Sequence, residues 1–219
     1  MSLQIIKATE AQYNPVFLDI ISDIKGGVTI KTDRLPATTK YLYPGTPLNA
    51  DTSSVGLYNI VKTALLKRAI TTSACVTIYV YGSDLANEPG QEFIVGEWIT
   101  IDGHGSAATI ASISRGARTS GIGTDTIIFT AGGGGLNATA AALTKLAEAS
   151  AAAVTASALL YTADCMLRQN VRVRLESGYT LQNIFAGAVT RGEVDESELP
   201  YTSPTEAVKT PLTARIRFA

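Results

Sequence analysis

Residues 92–113 limit the possible folds more than any other part of the sequence. Apolar residues recur there with the two-residue period of a β-strand, in which successive side chains point to opposite faces. One face of the first strand carries Phe93, Val95, Ile99 and Ile101. Gly96-Glu97 interrupts this row and indicates a β-bulge. Asp102-Gly103 is typical of a tight turn, so residues 92–113 predict two β-strands joined by a turn.

A third apolar run extends this β-module. Residues 125–130 place Ile127 and Phe129 on one side of a further strand. None of the predicted strand ends carries a reactive side chain. The module therefore indicates a surface to which a partner binds rather than a pocket in which a reaction takes place.

Strands are also predicted on both sides of the module. Alternating apolar residues indicate them at residues 28–32, 75–81, 171–175, 184–190 and 214–219. Residues 13–24 form either a short strand or a docking arm. Residues 192–198 are predicted to form an acidic loop.

Two segments are compatible with either a helix or a strand. Residues 56–69 have helical spacing and favour a short helix, although a strand over residues 57–61 with a helix over the rest is the alternative. Residues 136–160 are rich in Ala and favour a helix, with a strand over residues 142–149 as the alternative.

The segments together predict a mainly β protein. We expect a β-sandwich or barrel-like core with an inserted small β-module and one or two short helices. Residues 1–83 and 157–219 would form the core with an N-terminal arm, and residues 84–156 would form the module. A single domain is the alternative, and a chain of 219 residues can bury a core without disulfide bonds.

The composition narrows the classes of function. A net charge of −1 argues against binding nucleic acid through a basic surface. Charged residues make up 17% of the chain, below the roughly 25% of an average soluble protein. Low charge is common at the interfaces of permanent assemblies, and also in ordinary β-rich proteins. No apolar segment reaches the ~18 residues of a membrane helix, and no signal peptide is recognisable, so we expect synthesis in a cytoplasm and no membrane contact.

Residues typical of catalytic, metal-binding or phosphate-binding sites are few and distant from one another in the sequence. His104 is the only histidine, it lies in a predicted turn, and no GxSxG motif accompanies it. Cys75 and Cys165 lie in apolar runs and are predicted to be buried free thiols without zinc-site spacing. Four glycines at residues 132–135 follow a strand, but they match no phosphate-binding motif. We therefore expect no catalytic residue, metal or cofactor.

Two clusters indicate contact with a partner. Glu193, Asp195, Glu196 and Glu198 form an acidic segment that begins beside Arg191. It is a solvated loop, a contact for a basic surface, or a carboxylate pair of a carbohydrate hydrolase. Tyr41 and Tyr43 lie beside two prolines, and tyrosine is enriched both at interfaces and in the packing of sheet edges.

Three segments resemble one protein family. They are PGTPLNADTSSVGLYNIVKTALL, QEFIVGEWITIDGHGSAATIASI and NIFAGAVTRGEVDESELPY, the last followed by a terminal Ile-x-Phe strand. They are similar to segments of bacteriophage head decoration proteins, also called auxiliary capsid or head fibre proteins, especially those of phages of gut Bacteroidales. Glu97 replaces the aspartate usual in the second segment.

The resemblance implies a structural protein of the virion. Such a protein binds the outer surface of the major capsid protein lattice, often as a homotrimer, and has no active site. It is made in the host cytoplasm and resides on the capsid surface. From the residues we infer that residues 3–21 form a lattice contact or take part in subunit exchange. The residues expected to bind the partner are Phe17, Leu18, Tyr41, Tyr43, Arg191, Glu193 and Tyr201.

Other classes of function remain open. The chain is alternatively a tail or fibre module that binds glycans on the host surface. Two alternatives remain. One is a carbohydrate-active enzyme that uses residues 193–198, and the other is a nucleotide-binding protein that uses residues 132–135.

Overall fold

A computed structural model describes most of the chain. The described residues are 16–37, 39–71, 75–82, 92–101, 106–116, 123–130, 136, 139–151, 158–173, 183–199 and 206–219. Within them the protein is mainly β, with sixteen strands in three sheets, one short α-helix and one 3-10 turn. The predicted mainly β class is confirmed.

The strands are numbered in chain order. They are β1 (Phe17–Asp23), β2 (Val28–Ile30), β3 (Tyr41–Leu42), β4 (Pro47–Ala50), β5 (Leu57–Ile60), β6 (Thr63–Leu65), β7 (Thr77–Tyr81), β8 (Trp98–Ile101), β9 (Ala107–Ser114), β10 (Thr124–Phe129), β11 (Lys145–Ala149), β12 (Cys165–Leu167), β13 (Val171–Arg172), β14 (Ile184–Ala186), β15 (Ala188–Val194) and β16 (Ile216–Phe218). The 3-10 turn is Glu196–Glu198, and the helix α1 is Glu206–Lys209.

The largest sheet has eight strands. Its order is β1-β15-β12-β4-β5-β2-β14, and β16 also pairs with β15. β1 runs antiparallel to β15, with Phe17 opposite Val194 and Asp23 opposite Val189. β1 and β14 lie at the two edges. Strands from the beginning and the end of the described chain are therefore joined in one sheet.

The second sheet has six strands and is curled into a half-barrel. Its order is β6-β11-β8-β9-β10-β7. Leu66, just after β6, forms a bridge with Val80 of β7 and so links the two end strands. The inner face holds a buried apolar cluster that includes Phe93, Ile99 and Ile127. The third sheet is the pair β3 and β13.

The chain passes between the two large sheets at two places. Residues 61–62 connect β5 to β6, and residues 150–164 connect β11 to β12. All strands of the six-stranded sheet come from the stretch between these places. The predicted separation of residues 84–156 as an inserted domain stays a prediction.

The expected helix over residues 56–69 is wrong. Its alternative is correct for the strand, which is β5, and wrong for the helix after it, because β6 forms at Thr63–Leu65. β5 pairs with two strands that are distant in sequence, with Leu48 opposite Ile60 and Thr29 opposite Leu57. These pairings outweigh a local helical spacing that the apolar residues also satisfy.

The expected helix over residues 136–160 is also wrong where the structure describes the segment. β11 forms there, and Leu146 lies opposite Ile101 of β8 and Ala64 of β6. The described α-helix, α1, lies instead in a segment for which no helix was predicted.

Two local predictions need correction. Phe93, Ile99 and Ile101 are buried as expected, but Val95 is 60% exposed. Val95-Gly96 is a turn in which Gly96 has a φ of 93°, and the strand begins only at Trp98. The predicted acidic loop over residues 192–198 is wrong, because β15 continues to Val194 and the 3-10 turn follows. The turn predicted at residues 102–103 lies outside the described residues.

Candidate functional site

Four of the residues predicted to bind a partner lie on two paired strands. Phe17 and Leu18 belong to β1, and Arg191 and Glu193 belong to β15. Leu18 is 55% exposed, whereas Phe17 packs against the apolar cluster that contains Val194. The structure therefore brings these four residues together and leaves Leu18 as the exposed apolar one.

The charged residues on β15 contribute to the same surface. Arg191 is exposed and Glu193 is half-buried. Glu193 forms an ion pair with Arg217 of β16, at 3.7 Å between Oε1 and Nε. An exposed ion pair of this kind adds little to stability, so Glu193 and Arg217 can exchange it for contacts with a partner.

β1 lies at an edge of the eight-stranded sheet. In the part of the chain that the structure describes, it pairs with β15 alone. Ile21 is 67% exposed on this strand, in addition to Leu18. Edge strands present unpaired main-chain groups, and natural proteins usually protect them with charge or a cover. We call β1 with these two exposed side chains the β1 edge.

The opposite edge also carries a large exposed apolar side chain. Phe185 of β14 is 68% exposed. Its ring lies over Gly27, where an added Cβ would come within 2.5 Å of the ring. Both edges of the eight-stranded sheet therefore present apolar side chains to the surface.

The predicted tyrosines lie elsewhere. Tyr41 is 38% exposed on β3, where it lies opposite Arg172. Tyr43 is half-buried, and its main-chain oxygen accepts a hydrogen bond from Thr46 Oγ1 at 2.8 Å. Tyr201 lies outside the described residues. The structure therefore places neither Tyr41 nor Tyr43 on the β1 edge.

The acidic residues after Arg191 have local structural partners. Asp195 accepts hydrogen bonds from the main-chain nitrogen of Ser197 at 2.9 Å and from its hydroxyl at 2.6 Å. Glu196 accepts from Lys145 at 2.7 Å and from Lys209. Burial alone would raise the pKa of Glu196, but these two hydrogen bonds outweigh it and lower the pKa. The segment stabilises the fold and does not present a free carboxylate pair.

A second group of charged residues lies buried between the two large sheets. We call it the charge cluster, and it consists of Arg34, Lys62, Glu92, Glu97, Glu148 and Tyr161. Lys62 is only 2% exposed and Glu148 only 4%. Buried charges are costly unless they are paired, so each contact in the cluster affects stability.

Glu97 is the centre of the charge cluster. Its Oε1 accepts hydrogen bonds from Lys62 and, at 3.0 Å, from Nη2 of Arg34. Its Oε2 accepts from the main-chain nitrogen of Ile94 at 2.9 Å. Both oxygens of Glu97 are therefore satisfied as acceptors, which is the pattern of an ionised carboxylate.

Arg34 connects Glu97 to the rest of the cluster. Its Nη2 also donates to Oε1 of Glu148, and its Nη1 donates to the hydroxyl of Tyr161 at 3.0 Å. The main-chain oxygen of Arg34 accepts from Lys62. Arg34 thus acts as a planar donor to two carboxylates and one phenol, a geometry that guanidinium groups suit.

Two carboxyl groups in the cluster have raised pKa values. Burial, with the nearby charge of Glu97, raises the pKa of Glu148 to about 7 despite Arg34 and Lys62. Burial also raises the pKa of Glu92 to about 7, with Lys62 opposing and Glu97 adding to the shift. Proton uptake by these groups near neutral pH is the main chemistry that the cluster offers.

Sequence reasoning missed the charge cluster. Its charged members are separated by up to 114 positions, as between Arg34 and Glu148. The available signal was a single charged residue inside an apolar strand pattern. Lys62 follows Ile60-Val61, and Glu148 lies within an Ala-rich run.

The structure also locates the remaining sequence features that were considered as candidates for chemistry or membrane contact. Among the residues described, no group of three or more His, Cys, Asp or Glu is placed to hold a metal ion. In the same residues, no helix is long and apolar enough to cross a membrane. His104 and residues 132–135 lie outside the described part. Cys165 is buried and Cys75 half-buried, and both are free thiols.

Compared with protein-family models, curated proteins and solved structures, the chain matches none of them.

Proposed function

We propose that the protein is a virion structural protein, a capsid decoration subunit that binds the outer surface of the major capsid protein lattice as a homo-oligomer. The resemblance of three segments to head decoration proteins suggests this class. The β1 edge supports it, because exposed Leu18 and Ile21 lie on an edge strand that has one described partner strand.

Binding through such an edge needs no reacting group. A partner strand gains main-chain hydrogen bonds along β1, and its side chains cover the exposed apolar ones. Arg191 and Glu193 on the neighbouring strand would fix the orientation by charge. Modest contacts become tight when they are repeated over a lattice by an oligomer.

The test compares capsid binding by three forms of the protein. Leu18→Asp with Ile21→Asp places two charges on the β1 edge and is expected to abolish co-sedimentation with capsids. Val55→Asp is the matched control, since Val55 is fully exposed in the turn between β4 and β5 and its replacement leaves binding intact. Equal binding by all three forms would remove the β1 edge from the proposal.

The same three proteins also distinguish the proposal from its main alternative, a module that binds host glycans. Specific retention of the isolated wild-type protein on an array of host glycans, with no capsid binding, would indicate a host-adhesion module. Light scattering on the purified protein measures the oligomeric state, which we expect to be a trimer.

A further inference from the structure

The charge cluster lies where the chain crosses between the two large sheets. Lys62 is in the link from β5 to β6, and Tyr161 is in the link from β11 to β12. Arg34 follows β2 of the eight-stranded sheet, while Glu97 and Glu148 belong to the six-stranded side. The contacts that join the sheets at this point are therefore largely ionic.

The cluster contains more carboxyl groups than cations. Glu97 and Glu148 accept hydrogen bonds from the cations Lys62 and Arg34, and Glu92 is a third buried carboxyl on which the charges of Lys62 and Glu97 act. The Oε2 atom of Glu148 is buried and has no hydrogen-bond partner. An unpaired buried oxygen is much less costly on a neutral carboxyl than on an ionised one. Since both oxygens of Glu97 accept hydrogen bonds, the unpaired Oε2 of Glu148 is the atom at which the geometry favours a proton.

We propose that the charge cluster is a proton-dependent junction between the two sheets, which is closed while Glu148 and Glu92 are protonated and loosens as they lose their protons. This inference rests on the fold alone and does not depend on the proposed function. The charges of Lys62 and Glu97 act on both glutamates, Arg34 donates a hydrogen bond to Glu148, and Tyr161 accepts one from Arg34.

Solvent reaches the junction through a small surface depression. Arg34, Lys62 and Tyr161 line it, with Lys31 and Asp33 at the same depression. Its volume is about 10 Å³, which is close to the space of one water molecule. The depression therefore brings solvent to Arg34, Lys62 and Tyr161, which are the cations and the phenol of the charge cluster.

The direction of the pH dependence follows from the two glutamates. Their pKa values are about 7 in the folded protein and near the ordinary 4.5 in the unfolded chain. Between these values the folded protein holds more protons, so its stability falls as the pH rises. The stabilisation is complete below pH ~4.5 and is lost as the pH passes through ~7.

The first test measures the melting temperature from pH 5 to pH 8. We expect the wild-type Tm to fall by about 10 °C over this range, with each glutamate contributing about half. Glu148→Gln keeps the acceptor for Arg34 but cannot ionise, so it should reduce the fall by about half, and adding Glu92→Gln should remove most of it. Glu196→Gln is the control, because the pKa of Glu196 is lowered and its titration lies below this range.

The second test needs no variant and measures the titration of the two glutamates and the amide exchange at the junction. Carbon-13 NMR of labelled glutamate side chains should show Glu148 and Glu92 titrating near neutral pH. After correction for intrinsic rates, amide exchange at Val61, Glu148 and Leu160 should accelerate about tenfold from pH 5 to pH 8. The amide of Phe129 lies within the six-stranded sheet and should keep its protection.

Two results would overturn the proposal. One is a titration of both glutamates below pH 5 in the folded protein. The other is a Tm profile of the Glu148→Gln and Glu92→Gln variants that follows the wild type. If the variants do not fold, the NMR titration and the exchange data decide alone.

Discussion

Arg34 Nη2 lies 3.0 Å from Oε1 of Glu97, a residue 63 positions further along the chain. Arg34 follows a strand of the eight-stranded sheet, and Glu97 precedes a strand of the six-stranded sheet. The two large sheets are thus joined by a partly buried ion pair as well as by apolar packing.

Lys62→Met tests the importance of the charge cluster for stability. The variant keeps an unbranched side chain but leaves Glu97 with one cation, so we expect unfolding to become easier by about 3 kcal/mol and Tm to fall by about 9 °C. Thermal unfolding at pH 7 is the measurement. Arg168→Met is the control, since the ion pair of Arg168 with Asp23 is largely exposed and should change Tm by at most about 2 °C. Equal effects of the two substitutions would show that the buried pair has no special role.

Gly192→Ala tests the close approach of β1 to β15. A Cβ at Gly192 would lie 2.4 Å from the main-chain oxygen of Asp19. The strands must move apart, and we expect a loss of about 2 kcal/mol with faster amide exchange in β1. In Gly187→Ala the new Cβ meets only the Arg168 side chain, at 3.5 Å, and the cost should be small. A stable Gly192→Ala variant with a protected β1 would contradict the described register.

Glu196→Gln tests the ion pairs that join β11, the 3-10 turn and α1. The pKa of Glu196 is lowered in the folded protein, so its contribution is present above pH ~4.5 and is lost as the pH falls below that value. We expect Tm at pH 7 to fall by about 3 °C, a modest effect because the carboxylate is partly exposed. The difference from wild type should shrink at pH 3. A constant difference at both pH values would exclude an ionic origin.

The two cysteines should differ in reactivity. Burial, with the nearby Asp164, raises the pKa of Cys165 to about 12, so its reactive thiolate is scarce at pH 8. We expect a thiol reagent to modify Cys75 in the folded protein and Cys165 only after unfolding. Mass spectrometry of the wild type and of Cys75→Ser locates the label. Rapid labelling of Cys165 in folded Cys75→Ser would contradict its burial.

The sequence predicts strands well where the signal is local. β7 follows from alternation alone, since Ile78 and Val80 are buried and Tyr79 and Tyr81 are half-buried on the other face. The pattern is unambiguous because a helix would place these residues on different sides. The same holds for Ile127 and Phe129 in β10.

Prediction failed where distant partners decide the structure. The apolar residues of β5 fit both helical and strand periods, and pairing with β2 and β4 selects the strand. No local signal reports that pairing. The same reason prevents prediction of the charge cluster, whose contacts depend on the order of strands in both sheets.

The candidate binding surface was predictable in part. The apolar character of residues 17–21 is visible in the sequence, but the exposure of Leu18 and Ile21 follows from the position of β1 at a sheet edge. Phe17 has the same character and packs inward. The sequence therefore shows that the segment is apolar, and only the structure shows which of its apolar residues face solvent.

Electron cryomicroscopy of the virions to which the proposal assigns this protein tests the proposed function most directly. The account predicts density for this two-sheet protein on the outer capsid surface, with the β1 edge against the major capsid protein. A bare outer capsid surface, or density for the protein only at the tail, would contradict it.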